Sequence, residues 1–263
     1  MMKRYSKPIL AVVVFLIMQL LAGGIIAIVN GILHQDAISP TQIALSTIVS
    51  GLLTVVVVRR MRMLKTKNFN PKNVQWKHAA LPIVGALLGI IGANLLSEQI
   101  DLPNVMEMEF LALSQSFWGI LAIVFIGPIV EEIVFREAVI GHLIRHGEHR
   151  WVAIVFSALC FGISHLNPAQ IPFAAIMGLV LGVVYVRTHS IVFTSIVHIL
   201  NNAISVIEMN ILGERATDIS YAELLGGNAI AWVYIVVSGA LCVLFLREFW
   251  KKYHRPYRSS GVD

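Results

Sequence analysis

The sequence predicts an all-α fold, a polytopic bundle of about eight transmembrane helices with both termini in the cytoplasm. Three observations carry this prediction: the apolar composition, the length of the uncharged runs, and the distribution of lysine and arginine. Of the 263 residues, 57% are hydrophobic and only 13% are charged, about half the charged share of a soluble domain. A soluble fold of this composition would expose much apolar surface to water, so lipid is the expected solvent.

Eight apolar segments are candidate helices, most of them near the roughly 20 residues needed to cross a bilayer. The first follows Lys3 and Arg4, as the core of a signal peptide would, but no charged residue occurs from Pro8 to Gln35. That run is too long for a signal peptide, so we predict a helix retained in the mature protein. The segments are 8–32, 39–58, 79–97, 118–143, 151–166, 171–187, 191–208 and 227–246, of which the fifth and sixth are short.

The basic residues fall on one side of these segments. With the N-terminus in the cytoplasm, 18 of the 20 lysines and arginines lie in cytoplasmic tails and loops, and only Arg136 and Arg215 do not. Cytoplasmic loops of membrane proteins carry such an excess, so both termini are predicted inside. This topology explains the net charge of +5 without nucleic acid, and the basic loops are expected to contact anionic membrane lipid.

No long polar segment divides the chain, which predicts a single integral membrane domain over 1–263, in the plasma membrane if the source is prokaryotic. The pairs Gly85/Gly89 and Gly178/Gly182 each place two glycines on one helix face, which indicates close helix packing without naming the partner. The segment 102–116 is either an interfacial helix on the outer side or a loop.

The fourth helix carries four ionisable residues within seven positions: Glu131, Glu132, Arg136 and Glu137. Each charge at the centre of a bilayer costs about 2.5–3.5 kcal/mol, so the cluster must face the bundle interior or a wet cavity. Glu132 and Arg136 are four residues apart in the order that favours an ion pair. Gly127-Pro128 just before them should kink the helix and free a carbonyl group. Glu137 is expected nearer the cytoplasmic end, within reach of water.

Two further helices contribute polar groups. His165 follows the end of the fifth helix, and His198 and Asn202 share one face of the seventh. Each of these alone is typical of a buried histidine or of polar contacts between helices. Together with the carboxylates they supply what peptide hydrolysis needs, because a carboxylate and an imidazole can activate water and a second imidazole and an amide can stabilise an oxyanion.

Three ordered motifs give a family resemblance over about residues 118–207. Glu131-Glu132-x-x-x-Arg136, Phe161-x-x-x-His165 and His198-x-x-x-Asn202 resemble those of the CAAX-protease and bacteriocin-processing (CPBP or Abi) family of intramembrane endopeptidases, relatives of the type II CAAX prenyl endopeptidase. The resemblance implies a catalytic core over 118–207 and a peptide or protein substrate, which is membrane-associated or lipid-modified. It also implies an active site that opens to the cytoplasm.

The resemblance implies roles for these residues. Glu131 would be the general base on a water shared with His165. His198 and Asn202 would stabilise the tetrahedral intermediate, and Glu132 and Arg136 would orient the site. A cofactor is left open: Glu131, His165 and His198 can supply three Zn²⁺ ligands, or the glutamate can act without metal. His142, His146 and His149 have helical spacing but lie in a basic loop, where we predict a solvated surface.

Two alternative functions remain at this point. A member of the family can serve as a scaffold or bacteriocin-immunity protein that does not require catalysis. A proton-coupled transporter also uses intramembrane carboxylates, although no inverted repeat with paired broken helices is evident in the sequence.

Overall fold

A computed structural model describes residues 2–35, 37–100, 102–213 and 220–253, and within these ranges the chain is helical and has no β-strand. Seven helices are long and apolar enough to cross a bilayer, and the chain is an integral, multi-pass membrane protein. The helices are α1 (Met2–Ile32), α2 (Pro40–Arg60), α3 (Ala80–Glu98), α4 (Glu107–Ser114), α5 (Phe117–Arg145), α6 (Arg150–Ile163), α7 (Gln170–Thr188), α8 (Ile191–Leu212), α9 (Tyr221–Leu224) and α10 (Asn228–Lys252).

Each of the eight predicted segments corresponds to one of these helices, but α6 is shorter than predicted. Its 14 residues cover about 21 Å at 1.5 Å per residue, less than the roughly 30 Å of hydrocarbon. The helix ends early because Leu166 adopts a left-handed φ of 55° and Pro168 cannot continue a helix. The bundle therefore has seven long helices and one that stops inside it.

The two described ends of the chain meet at the same end of the bundle. Arg4 Nη1 lies 3.0 Å from Glu148 Oε2, and the Arg150 guanidinium lies 5.3 Å above the ring of Trp250. This grouping is the one that the lysine and arginine distribution predicts, although the side of the membrane on which it lies stays a prediction. Arg215, Arg255 and Arg258 of that count lie outside the described residues.

The connections between the helices lie at two opposite ends of the bundle. The basic end comprises residues 4–7, 59–78, 145–150, 187–190 and 247–253. The far end comprises the described residues of the connections on the other side, 33–39, 99–116 and 213–227.

Glycines set the close packing of two helix pairs. A Cβ atom at Gly89 would stand 2.6 Å from Cys242 Sγ, and one at Gly85 would stand 2.8 Å from Phe245 Cβ, so α3 packs directly on α10. A Cβ atom at Gly178 would stand 2.9 Å from Ala158 Cα, which brings α7 against α6. Both predicted glycine pairs therefore lie at helix contacts, and the structure names α10 and α6 as the partners.

The segment 102–116, for which helix and loop were both open, contains the eight-residue helix α4. Ahead of it, Asn104 Oδ1 accepts a hydrogen bond from Asn167 Nδ2 at 2.7 Å, and the Pro103 carbonyl accepts one from the Ala169 N–H. The segment thus folds over the connection between α6 and α7 and covers the end of the short helix.

Buried apolar side chains fill the bundle between the middle of α5 and the basic end. They come from α5, α6, α7 and α8, and they form one continuous core that also receives residues of α1 and α3. The fully or almost fully buried members in this layer are Phe135, Val139, Ile140, Leu143, Ile154, Leu181, Val184, Tyr185, Ile191 and Phe193. This layer separates the candidate site from the basic end.

Candidate active site

Helix α5 departs from α-helical geometry beside the site. It forms wider π-helical turns over Leu121–Ile126 and again over Glu132–Gly141, as often happens at functional sites. The Gly127 N–H donates to the carbonyl of Ala122, five residues earlier. Gly127-Pro128 therefore lies where the helix changes from π-helical to α-helical turns, and the kink predicted there stays a prediction.

Proline explains how the third motif joins this helix. In a π-helical turn the Ile123 carbonyl would accept from residue 128, but Pro128 has no N–H to donate. Asn202 Nδ2 donates to the Ile123 carbonyl instead, at 2.7 Å. The neighbouring Asn201 Nδ2 donates to Asn202 Oδ1 at 2.9 Å, which fixes the orientation of the Asn202 amide.

The two adjacent glutamates have different surroundings. The Glu131 side chain is 22% exposed and lines a cavity, whereas that of Glu132 is fully buried. Glu132 Oε2 lies 3.1 Å from Arg136 Nε, a charge contact without the alignment of a hydrogen bond. Glu132 Oε1 makes a hydrogen bond of 3.0 Å with His198 Nδ1. The predicted ion pair thus stands directly behind a histidine of the site.

Phe161 connects the three motif-bearing helices through its ring. The buried Arg136 guanidinium lies 4.6 Å from the ring centroid, a cation–π arrangement, and its three nitrogens have no hydrogen-bond partner among the described residues. The His165 and His198 rings meet the Phe161 ring edge-on, at centroid distances of 4.9 and 5.9 Å. Phe161 therefore positions both imidazoles and stabilises the buried cation.

His165 follows the last turn of α6. Its Nδ1 lies 2.8 Å from the Phe161 carbonyl oxygen, which explains why the two residues are four positions apart. Because a carbonyl only accepts, Nδ1 carries the proton. The other ring nitrogen, Nε2, is then an acceptor in the neutral imidazole.

His198 bridges the two glutamates. Its Nδ1 bonds Glu132, and its Nε2 lies 3.5 Å from Glu131 Oε2. The bond to the Glu132 carboxylate assigns a proton to Nδ1, an arrangement that commonly fixes the orientation of a functional histidine. Its Nε2 faces the Glu131 carboxylate, and both residues line the cavity.

One cavity brings the predicted catalytic residues together. Its volume is about 490 Å³, and Glu131, His165, His198 and Asn202 all line it. Glu132 and Arg136 do not line it and stand behind His198. The geometry therefore separates the four residues for which the resemblance implies chemistry from the two for which it implies orientation. Other polar lining residues are Gln19, Thr47, Ser50, Asn94, Asn104, Ser164, Gln170, Asn201, Ser205, Glu208 and Tyr221.

The three residues predicted as Zn²⁺ ligands do not form a ligand set in this structure. Among the described residues, no group of three or more His, Cys, Asp or Glu side chains is placed to hold a metal ion. His198 in addition turns one ring nitrogen to each glutamate. The donor set of Glu131, His165 and His198 therefore does not fit a three-ligand centre as it stands.

Two expectations for the end of α5 are wrong. Glu137 is fully buried rather than in reach of water, because four donors surround its carboxylate: Tyr185 Oη, Asn68 Nδ2, Arg145 Nη1 and the Lys65 N–H. His142, predicted on a solvated surface, is only 5% exposed, and its ring stacks on that of the exposed His146 at a centroid distance of 3.9 Å.

The sequence did not single out Asn201 or the Ile123 carbonyl, although both fix Asn202. Asn201 directly precedes a motif residue and is 6% exposed, so the Asn-Asn pair was the available signal. The role of the Ile123 carbonyl depends on a π-helical turn and on Pro128, which no spacing of side chains reveals.

The comparison with protein families supports the motif assignment. Residues 113–204 match the family model described as type II CAAX prenyl endopeptidase Rce1-like, a range that contains all three motifs and nearly coincides with the predicted core over 118–207. The comparisons with curated proteins and with solved structures gave no significant match. Over residues 113–204 this membrane protein is therefore similar to the type II CAAX prenyl endopeptidase family, as its motifs predicted.

Proposed function

We propose that this protein is an intramembrane endopeptidase that hydrolyses a peptide bond of a membrane-associated or lipid-modified peptide, with a water activated by Glu131 and His165. The observation that carries the proposal is the single cavity of about 490 Å³ lined by Glu131, His165, His198 and Asn202. The match to an endopeptidase family supports the reaction class.

Glu131 is the residue best placed to act as general base. It is the partly exposed member of the glutamate pair, so a water in the cavity can reach it. Glu131 takes a proton from the water, while the free Nε2 of His165 accepts the other O–H as a hydrogen bond. The water oxygen then bonds to the substrate carbonyl carbon. When the C–N bond breaks, the leaving nitrogen receives the proton from Glu131.

The developing oxyanion needs donors on the opposite side of the attacked carbonyl. His198 supplies Nε2–H when that nitrogen is protonated. Asn202 has two amide hydrogens, of which one is engaged by Ile123, so the other is available to the cavity. Donors fixed in advance are effective because they need no reorganisation during the reaction.

Glu132 and Arg136 are positioning residues in this mechanism. The Glu132 carboxylate holds His198 by Nδ1, and Arg136 holds the charge of Glu132 while it stacks on Phe161. Neither residue reaches the cavity, so both act on catalysis through the orientation of His198.

A comparison of two carboxylate variants tests the proposal. Glu131→Gln should lower cleavage by about 10²–10⁴-fold, the usual contribution of a general base. Glu208→Gln is the matched control for the loss of one negative charge from the cavity, because Glu208 lines the same cavity but bonds Tyr221 rather than a histidine. Quantitative mass spectrometry of membranes from cells with the wild type and with each variant identifies cleavage products that disappear only with Glu131→Gln. Equal peptide profiles in these three membrane samples would end the protease proposal.

The two alternatives predict different results with the same variants. A scaffold or immunity protein should retain its cellular phenotype with Glu131→Gln. A proton-coupled transporter with Glu131→Gln should lose uptake in proteoliposomes. A transporter also needs a path through the bundle from the cavity to the basic end. The buried apolar layer closes that path in this conformation.

Metal dependence has a test of its own. A mechanism based on Glu131 alone predicts that cleavage by purified protein survives dialysis against a strong Zn²⁺ chelator. Loss of cleavage that added Zn²⁺ restores would favour the metal alternative and require Glu131, His165 and His198 to rearrange.

A further inference from the structure

We infer that the substrate enters the active site from the extracytoplasmic side of the membrane, as an extended peptide segment of neutral or positive charge. The inference rests on the proposed function for the chemistry at the inner end of the cavity. Its direction rests on two separate observations, which are the residues that line the cavity and the side of the bundle that carries the lysines and arginines.

The cavity extends from Glu131 toward the far end of the bundle. On α2, which begins at the far end, the lining residues lie between Ile43 and Gly51. On α8, which ends there, they run from His198 to Leu212. On α7 they lie within the first eight residues, again on the far side. Each of these helices therefore contributes the part that leads away from the basic loops.

The mouth of the cavity is formed by residues of the far end. Met106 is 37% exposed and Leu224 is 56% exposed, and both line the cavity, together with Asn104 and Tyr221. The non-helical backbone at 103–105 and 164–169 borders the same space. Irregular backbone at membrane depth is tolerated where it is buried in protein or lines a water-filled cavity, so this segment is suited to a polar entrance.

The path toward the basic end is closed. Phe135 and Phe161 are fully buried beside the site, and their rings pack edge to face at 5.1 Å. Beyond them lies the apolar layer, and then the buried Glu137 carboxylate with its four donors. No lining residue of the cavity comes from the described part of the basic end.

The lysine and arginine distribution indicates on which side of the membrane the mouth of the cavity lies. The residues of the basic end include 15 of the 20 lysines and arginines, so that end is cytoplasmic by the positive-inside rule, and the far end is extracytoplasmic. The lining of the cavity carries the carboxylates of Glu131 and Glu208 and no Lys or Arg among the described residues. Such a lining favours a neutral or cationic peptide over an acidic one.

This direction differs from the one that the family resemblance implies. A C-terminus that a cytoplasmic protein presents would meet the closed basic end. A peptide that is exported, or one that arrives from outside the cell, would meet the mouth. The structure therefore favours a substrate on the outer surface of the membrane.

Cysteine labelling in intact cells tests the entrance without any need for activity. In a background of Cys160→Ala and Cys242→Ala, single cysteines are placed at the mouth (Met106→Cys), inside the cavity (Ser205→Cys) and on the basic end (Lys72→Cys). A membrane-impermeant maleimide should label the first two in intact cells and the third only after lysis. Labelling of all three in detergent shows that each variant is present and reactive.

Two outcomes separate this inference from the proposed function. Protection of Met106→Cys and Ser205→Cys in intact cells, with labelling of Lys72→Cys, would overturn the extracytoplasmic entrance and leave the Glu131 chemistry as proposed. Labelling as expected, with unchanged cleavage in Glu131→Gln, would keep the entrance and remove the proposed catalysis. Selective cleavage of a cationic over an acidic peptide added to right-side-out vesicles then supports the charge preference, and the reverse order contradicts it.

Discussion

Glu132 and Glu137 are two buried carboxylates on the same helix, five residues apart, and their surroundings differ in kind. Both oxygens of Glu137 accept hydrogen bonds from well-placed donors, which come from a loop, from α5 itself and from α7. Glu132 has one charge contact with Arg136 and one bond to His198. The first carboxylate is fully satisfied, and the second shares its capacity with a histidine at the edge of a cavity.

One helix thus carries both an anchoring carboxylate and a carboxylate that serves the site. A buried charge is costly unless it is paired and hydrogen-bonded, so the complete set of donors around Glu137 is suited to holding the basic end together. The Glu132 environment is less complete, because the Arg136 nitrogens have no hydrogen-bond partner among the described residues. Incompletely satisfied networks are common where function sets the arrangement.

The largest expected effect on stability is that of Glu137→Ala. The change leaves the hydroxyl of Tyr185 and the amide of Asn68 buried without an acceptor, so it should lower the free energy of unfolding by about 3–5 kcal/mol. Thermal unfolding of the purified protein in detergent measures the loss. Glu148→Ala at the same end is the control, because its ion pair with Arg4 is partly exposed and such pairs at a protein surface contribute much less to stability than a buried, fully hydrogen-bonded carboxylate. Unaltered unfolding of Glu137→Ala would contradict an anchoring role.

Glu132→Gln should mainly affect catalysis. Loss of an outer-shell partner of a functional histidine typically costs about 10–100-fold, so kcat should fall by that factor with little change in KM. A shift in the pH profile of kcat distinguishes positioning from a structural defect, since His198 loses a charged partner. Glu137→Gln is the matched variant, and its folded fraction should retain the wild-type pH profile. Identical profiles in the two variants would remove the distinction between these carboxylates.

The sequence predicts the helices well because lipid imposes a length and an absence of charge on each span. It predicts the candidate site residues because Phe161 and His165, and Glu132 and Arg136, interact across one helical turn. It does not predict that Glu132 and Glu137 differ, because three of the four donors to Glu137 come from residues more than 40 positions away: Lys65, Asn68 and Tyr185.

The end of the bundle at which the cavity opens could not be predicted from the sequence either. The short length of α6 depends on the backbone conformation at Leu166, and the covering segment at 103–105 is held by contacts with Asn167 and Ala169. Such long-range contacts decide which end of a polar site is open, and no periodicity of the chain records them.

A smaller effect is expected for Ser157→Ala. Ser157 lies on α6 and contacts α5 at Phe135, between the two carboxylates in the sequence. Ser157 Oγ donates to the carbonyl of Phe135 at 2.7 Å, within the π-helical segment that carries both glutamates. A neutral hydrogen bond contributes about 0.5–1.5 kcal/mol, so the unfolding midpoint should fall slightly while cleavage per folded molecule stays constant. A fall in kcat without a change in unfolding would show that this bond positions Glu132 rather than supporting the helix.

The smallest effect concerns the surface of the basic end. The hydrogen bond from the Tyr5 hydroxyl lowers the pKa of Glu148, and the His149 N–H and Arg4 act in the same direction. A carboxyl whose pKa is lower in the folded state stabilises that state above its unfolded pKa, near 4.3, and loses this contribution as the pH falls through the folded value. Wild type should therefore lose more stability than Glu148→Gln between about pH 5 and pH 3.

Tyr5→Phe separates the hydrogen bond from the charge at this position. Because the Tyr5 hydroxyl is the largest cause of the lowered pKa, its removal should make the acid-dependent fall in the unfolding midpoint shallower, while Arg4 still pairs with Glu148. Unfolding curves of wild type, Tyr5→Phe and Glu148→Gln across this pH range test the order. A steeper acid dependence in Tyr5→Phe than in wild type would show that the contact opposes ionisation of Glu148, contrary to the geometry.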